Sequence, residues 1–386
     1  MSQSKKISIS GEAMELANKL LQRWDLHLIE GQRLRDLEDD QRRLTTMTPE
    51  NQKIGHEMLY PRRPYPIEQQ ALDFLQTCCR FPGSSLSSLT PGITYDEFGE
   101  RFCLYLDKWP PRLGNQFRGL QNAIMIARYF GIKRIYTSNV SPLLKFDNEF
   151  IVHGAPKRND KVYVAPINKH GFFYTDCSFL YKNDWCLDFS LDIIDSRIRI
   201  DYRPVDIPED DLVIHIRSSD IFTDNPNNKY SQPPLAWYII CIEEHLKYHK
   251  NASFIAVFAD TKNPCIHALI DYCKNNNIKL KTQSGDLKSD YGYIMEATSL
   301  VSARGSFLRP ALMLSKKLKR VYRFDFNYCA EGVYFAKDEW MCNPEQLEKM
   351  VSLPKEAINY PSNLYEISEF IPRRDAIMLP HLQKKG

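Results

Sequence analysis

The sequence predicts an α/β protein of two Rossmann-like domains facing a cleft, preceded by a helical arm. Three observations carry this expectation. From about residue 66 onward, short apolar runs alternate with amphipathic stretches of ten residues or more, the pattern of strand–helix–strand units on a parallel sheet. The alternation breaks once, at Pro204-Val-Asp-Ile-Pro-Glu-Asp-Asp, and restarts on a new apolar run. The chain also has 386 residues, 43% of them hydrophobic, enough for two cores and an appendage. The expected bounds are an arm over 1–60, a first domain over 61–205, a second over 206–345, and a tail over 346–386 that packs back.

In the arm, Leu16, Leu20, Trp24 and Leu28 fall at a spacing of four, and Leu34, Leu37 and Leu44 carry the stripe past Gly31. The charged remainder, RLRDLEDDQRRL, suits a helical hairpin or a coiled-coil-like arm that self-associates or meets a partner; the alternative is a solvated helix packed on its own domain. Pro49 and the run Tyr60-Pro-Arg-Arg-Pro-Tyr-Pro end it in an extended connection.

The first domain then reads as a helix over Ile67–Cys79, a Gly/Ser/Pro loop over 81–92 and a strand over Phe102–Leu106. A helix over Gly119–Phe130 and a strand over Arg134–Thr137 follow, before an aromatic, β-rich stretch over 150–200. In the second domain the strand Leu212–Ile216 leads to a helix over Leu235–Lys250, a strand over Ser253–Ala259, a helix over Pro264–Asn275 and a strand over Ile278–Leu280. Helices over Tyr291–Val301 and Pro310–Lys317 and a strand over Arg320–Phe324 complete the series.

Composition excludes several functions. Formal charge is +3, from 51 basic and 48 acidic residues, which argues against nucleic acid as a partner and suits a smaller anionic ligand. No apolar run approaches 18 residues and the N-terminus lacks a signal-peptide core, so a cytoplasmic protein, or one peripheral to a membrane, is expected. The ten cysteines are scattered with no C-x-x-C pair, which points to reduced thiols and away from zinc. Asp338-Glu339-Trp340 is not a metal-binding D-x-D, and no other D-x-D precedes a suitable loop, so no metal cofactor is expected.

Three segments are candidates for chemistry. In Leu212-Val-Ile-His215-Ile-Arg217-Ser-Ser-Asp220, two polar residues at alternate positions of an apolar strand share one face. They lie at the strand's C-terminal end, where ligands sit in parallel sheets. The Arg217 guanidinium offers paired hydrogen bonds to phosphate oxygens, and Asp220 holds it; the alternative is a buried His with a structural Arg–Asp pair. In Arg112-Leu-Gly114-Asn115-Gln116, a Gly turn before a helix presents backbone N–H groups to an anion, or simply caps the helix. In the stretch from Asp290 to Gly305-Ser306-Phe307, Ser306 caps a helix or meets a phosphate. Asp260, at a strand end, either reaches a ribose or caps the next turn. Trp185, Phe172, Phe173 and Tyr174 either stack on sugars or pack in the core.

Taken together, the order and spacing of these segments resemble the superfamily of fucosyltransferases that adopt the GT-B fold: the α1,2-, α1,6- and protein O-fucosyltransferases. The resemblance covers roughly 100–325 and lies in Arg112-Leu-Gly114-Asn115-Gln116, in His215-Ile-Arg217-Ser-Ser-Asp220, and in Asp290 followed by Gly305-Ser306-Phe307. It implies an inverting, metal-independent transferase that moves fucose from GDP-fucose to a hydroxyl of a glycan or protein. It further implies that Arg217 holds the donor β-phosphate, that His215 and Asp290 meet the guanine or its ribose, that Ser306 and Phe307 meet the diphosphate, and that Asn115 reaches the phosphates across the cleft. Ser218 stands where many members carry a second arginine, which leaves the subfamily and the donor open. A GT-B transferase for another nucleotide sugar, a nonenzymatic nucleotide- or sugar-binding protein, and an adaptor acting through residues 11–45 are the competing readings.

Overall fold

The computed structural model describes residues 63–81, 92–146, 149–156, 162–177, 180, 194, 197–222, 232–303, 305–324, 344–357 and 364–366. The chain divides into compact units over 1–62 and 63–386. The arm expected over 11–45 and Trp185 lie outside the described residues, and the described strands and helices all belong to the second unit.

Its first half builds on α1 (Gln69–Cys78), β1 (Cys79–Arg80), α2 (Tyr95–Arg101), β2 (Phe102–Leu106), α3 (Leu113–Tyr129), β3 (Ile135–Thr137), β4 (Leu144–Phe146), β5 (Ile151–His153), β6 (Val162–Pro166) and β7 (Ile198–Ile200). A capping box starts α2: the Thr94 hydroxyl accepts from Glu97 N, and the Glu97 carboxylate accepts from Thr94 N at 2.8 Å. The helix then hands its apolar face to the sheet through Phe98, stacked on Phe102 at 4.4 Å. Helix α3 is buried along most of its length, as Leu120, Ala123, Ile124, Ile126 and Ala127 show. It starts six residues earlier than the expected Gly119, so Gly114 and Asn115 belong to its first turn and not to a preceding loop.

The second half comprises β8 (Leu212–His215), α4 (Leu235–Tyr248), β9 (Phe254–Val257), α5 (Pro264–Asn275), β10 (Leu280–Gln283), α6 (Leu287–Glu296), β11 (Ser299–Ser302), α7 (Arg309–Leu314), β12 (Arg320–Arg323), α8 (Pro344–Ser352) and β13 (Leu364–Glu366). The helix expected over Tyr291–Val301 is thus two elements. Ala297 turns extended (ψ 136°), ending α6, and Ser299–Ser302 runs as a strand in the middle of the sheet. The strand expected over Ile278–Leu280 is displaced to Leu280–Gln283, its register fixed by pairing with Phe254–Val257. The core gathers Trp237, Tyr238, Phe254 and Leu269 beneath β8 and β9, and Met350 of α8 closes it, its carbonyl accepting from the Cys265 thiol.

Both large sheets follow one plan. The first runs β1-β6-β2-β3-β5 and the second β10-β9-β8-β11-β12-β13. β1 and β13 pair antiparallel at the margins; all other pairings within the two sheets are parallel. Numbered along the chain, the parallel strands of both follow the doubly wound order that starts 3-2-1-4, as β5-β3-β2-β6 and as β10-β9-β8-β11. The molecule is therefore mixed α/β with two Rossmann-like parallel sheets. Among the described residues no helix is long and apolar enough to cross a membrane, and the described cysteines are free and buried.

Candidate functional site

In a doubly wound sheet the connections leave strands 1 and 4 in opposite directions, which opens a crevice at their C-terminal ends. In the second sheet those strands are β8 and β11, hydrogen-bonded neighbours. His215 ends β8 and Arg217 lies two residues on; the chain after β11 carries Gly305, Ser306 and Phe307. Residues far apart in sequence thus line one crevice.

Contacts at this point are tight. Gly305 has φ 135°, and a Cβ there would lie 2.4 Å from a guanidinium nitrogen of Arg217, so the arginine head lies against bare backbone. Phe307 stacks on the His215 ring with centroids 4.9 Å apart. Tyr291 of α6 supports it from behind, its ring 4.8 Å away and its hydroxyl donating to Phe307 O at 2.6 Å. Burial, and then the positive Arg217 beside it, push the His215 imidazole down to about 3. His215 is neutral at physiological pH, and its Nδ1 has no hydrogen-bond partner among the described residues.

The first half of the unit reaches into the same place. A Cβ on Gly114 would sit 2.0 Å from Ser306 O and 2.9 Å from Phe307 N, so glycine is what lets the start of α3 touch this turn. Beside it the Ser306 hydroxyl donates to Asn115 Oδ1. One turn further in, Arg309 Nε donates to Gln121 Oε1 at 2.9 Å in a buried bond across the two halves. Arg112 stands just ahead of the helix with φ 80°, a left-handed backbone in a residue that rarely adopts it. The expected residues Arg112, Gly114, Asn115, His215, Arg217, Gly305, Ser306 and Phe307 are therefore drawn together.

Comparison of the chain with protein-family models, with curated proteins and with solved structures gives no match. The function of the crevice is therefore read from the chemistry of its own residues.

Asp290 lies buried inside α6, where its carboxylate accepts from Gln283 Nε2 at 3.1 Å. Burial pushes its carboxyl up to about 6, against that hydrogen bond, with nearby Asp286 adding to the rise. The Asp220 side chain lies outside the described atoms; only its backbone, in a single 3-10 turn over Ser219–Ile221, is described. Asp260 is committed to the protein: its Oδ1 accepts from Ser218 Oγ at 2.5 Å, Lys262 N at 3.0 Å and Ser219 N at 3.1 Å. Burial works to raise its carboxyl, but those bonds outweigh burial and hold it below the usual carboxylate range. Asp260 thus ties down the chain that follows Arg217, including Ser219 at φ 65°.

Sequence reasoning missed the residue that completes this clamp. Asn263 is fully buried; its side-chain amide donates to Arg217 O at 2.9 Å, its carbonyl caps α5 through Cys265 N, and its backbone N–H donates to Ser218 Oγ. The one signal was the Asn-Pro start of α5, which reads as a cap and says nothing of Arg217. Gln283 and Gln121 carried no signal.

The crevice offers a planar cation, a neutral imidazole and a hydroxyl in close array, with first-turn amides of α3 beside them. That set suits an anion with several oxygen acceptors attached to a flat ring. Among the described residues, no group of three or more His, Cys, Asp or Glu side chains could hold a metal ion.

Proposed function

We propose that this protein is a glycosyltransferase of the GT-B type that uses a nucleoside-diphosphate sugar, with GDP-fucose as donor, and inverts the anomeric carbon without a metal. The observation that carries the reading is the Arg217 guanidinium lodged against Gly305 at the β8–β11 crevice, bordered by Ser306 and Asn115 from opposite halves of the unit. The motif order shared with the fucosyltransferase superfamily favours fucose and guanine.

The chemistry follows from where charge develops. As the acceptor hydroxyl yields its proton to a carboxylate of the first half and its oxygen bonds to the anomeric carbon, the bond to the diphosphate oxygen breaks and negative charge grows on the departing β-phosphate. Arg217 offers two hydrogen bonds to that oxygen cluster and stabilises it more in the transition state than in the ground state. A neutral His215 adds no positive charge and holds a place beside the base or ribose, with Phe307 fixing its ring. Asn115 and Ser306 give up their mutual hydrogen bond to face the phosphates. The GT-B cleft corresponds to the line between the two halves at Gly114 and Ser306.

A thermal-shift series tests the donor. GDP at about 100 times its dissociation constant adds roughly 2.7 kcal/mol, a rise of a few degrees in Tm. The rise is expected for GDP and GDP-fucose, to persist in EDTA, and to be absent for UDP, CMP and their sugars. A shift with UDP and none with GDP overturns the donor assignment and leaves a transferase for another nucleotide sugar; ligand binding without sugar release leaves a nonenzymatic binder.

A further inference from the structure

The first sheet repeats the strand order of the second, so it has its own crevice at the C-terminal ends of β2 and β6, and the loop after β2 runs directly into Gly114 and Asn115 of the donor crevice. The loops that form it are Asp107–Arg112 after β2 and Ile167–Tyr174 after β6, and they are packed on each other. A Cβ on Gly171 (φ 62°) would lie 2.5 Å from Lys108 O. The second loop is anchored at its buried middle, where Asn122 donates to Phe172 O at 2.8 Å, while Ile167 and Tyr174 at its ends are exposed.

Two features of this mouth are unusual for a strand end. The first is apolar surface offered to solvent: Tyr174 is 62% exposed, with the edge of His170 set against its ring at 5.4 Å, and Ile167 is 50% exposed. The second is positive charge. Asp107, an acid at the rim, pairs with Arg80 through Oδ2. Lys108 and Lys169 pair with no carboxylate among the described residues. A broad exposed ring stacks on the C–H face of a sugar, and unneutralised lysines beside it call for negative charge. The start of α3 braces this mouth: Gln116, one residue after Asn115, donates to Pro110 O at 3.2 Å and accepts from Ser141 N at 2.8 Å.

We infer that the β2–β6 crevice binds an anionic saccharide, a sugar chain bearing carboxylate, sulfate or phosphate, through Tyr174 and the Lys108–Lys169 pair. Its role as acceptor rests on the transferase reading; the binding site does not.

Binding is measured for the full chain with saturating GDP, using three anionic probes (a trigalacturonate, a heparin-derived tetrasaccharide and mannose 6-phosphate) and the neutral maltotetraose. At least one anionic probe is expected to bind about tenfold or more tighter than maltotetraose and to weaken severalfold between about 50 and 300 mM salt. The three probes separate carboxylate, sulfate and phosphate as the source of charge. Tyr174→Ala and the double variant Lys108→Ala/Lys169→Ala are each expected to weaken that probe by about tenfold, with the GDP-induced Tm shift intact. Equal binding of the neutral sugar, no binding of any anionic probe, or unchanged affinity in both variants overturns the site. Loss of the GDP shift in wild type, with anionic binding still sensitive to the variants, overturns the donor reading and leaves this site standing.

Discussion

The two crevices differ although the sheets that make them share a strand order. At the β8–β11 crevice, polar groups are locked, His215 buried under Phe307 and the half-buried Arg217 against Gly305, with Arg217's carbonyl held by Asn263. At the β2–β6 crevice, the notable groups lie outside: Tyr174, Ile167 and a pair of lysines. Topology fixes where a mouth opens, and the loops decide what it takes. A locked mouth suits a ligand on which charge develops and which must be aimed. An open one suits a ligand that is only held.

The largest effect that would break this contrast is at Arg217. Lysine keeps the charge but loses the two-pronged geometry, and removing a transition-state donor costs roughly 100- to 1,000-fold in turnover. Arg217→Lys is expected to lower turnover by about two orders of magnitude with a Tm close to wild type. A large loss of stability with normal specific activity would instead make Arg217 a structural residue. Both quantities are read from one preparation.

Next in size is the contact between the halves. An alanine at position 114 forces its Cβ into Ser306 O, a backbone atom that cannot swing aside. Overpacking of this kind costs about 1–3 kcal/mol or more, so Gly114→Ala should lower Tm by several degrees and remove the GDP shift. The anionic-saccharide site should survive in whatever remains folded. An unchanged Tm and an unchanged shift would mean that the halves do not meet in solution as they do here.

The smallest effects are in pH dependence, where two groups act with opposite sign. His215 falls from 6.5 to about 3 on folding, so the stability tied to its neutral form is present above pH 6.5 and lost as pH falls toward 3. Asp290 rises from 3.8 to about 6, so its contribution is present below pH 3.8 and lost as pH rises through 6. With urea melts between pH 4.5 and 8, His215→Gln should gain on wild type as pH falls. Asp290→Asn should gain on wild type as pH rises, by on the order of 1–2 kcal/mol. Parallel profiles for all three proteins would show that both groups are better hydrated than their burial implies.

The longer helices of the doubly wound series, and strands such as β2, β8, β9 and β12, were legible as amphipathic stretches alternating with short apolar runs, and His215 and Arg217 because a polar pair at alternate positions is conspicuous at a buried strand. The misreadings have physical causes. Leu300 and Val301 sit in a strand buried on both faces, and such a four-residue run has no alternation to distinguish it from the end of a helix. Gly114 reads as a turn ahead of the helix, whereas its lack of a Cβ serves the approach of Ser306 within the helix's first turn. Asn263 and Arg217 are 46 residues apart, and Gln121 and Arg309 are 188 apart. Partnerships over such distances depend on the closed fold, and no local pattern announces them.

β13 has a consequence for assembly. Leu364–Glu366 runs antiparallel along β12 and covers the outer margin of the second sheet. An uncovered strand of that kind presents a row of free N–H and C=O groups that recruits another chain. Proteolysis ahead of Leu364 would leave the β8–β11 crevice, in the middle of the sheet, chemically whole, yet would make Arg320–Arg323 a sticky rim. Loss of the tail would then be felt as clumping before any change at the β8–β11 crevice.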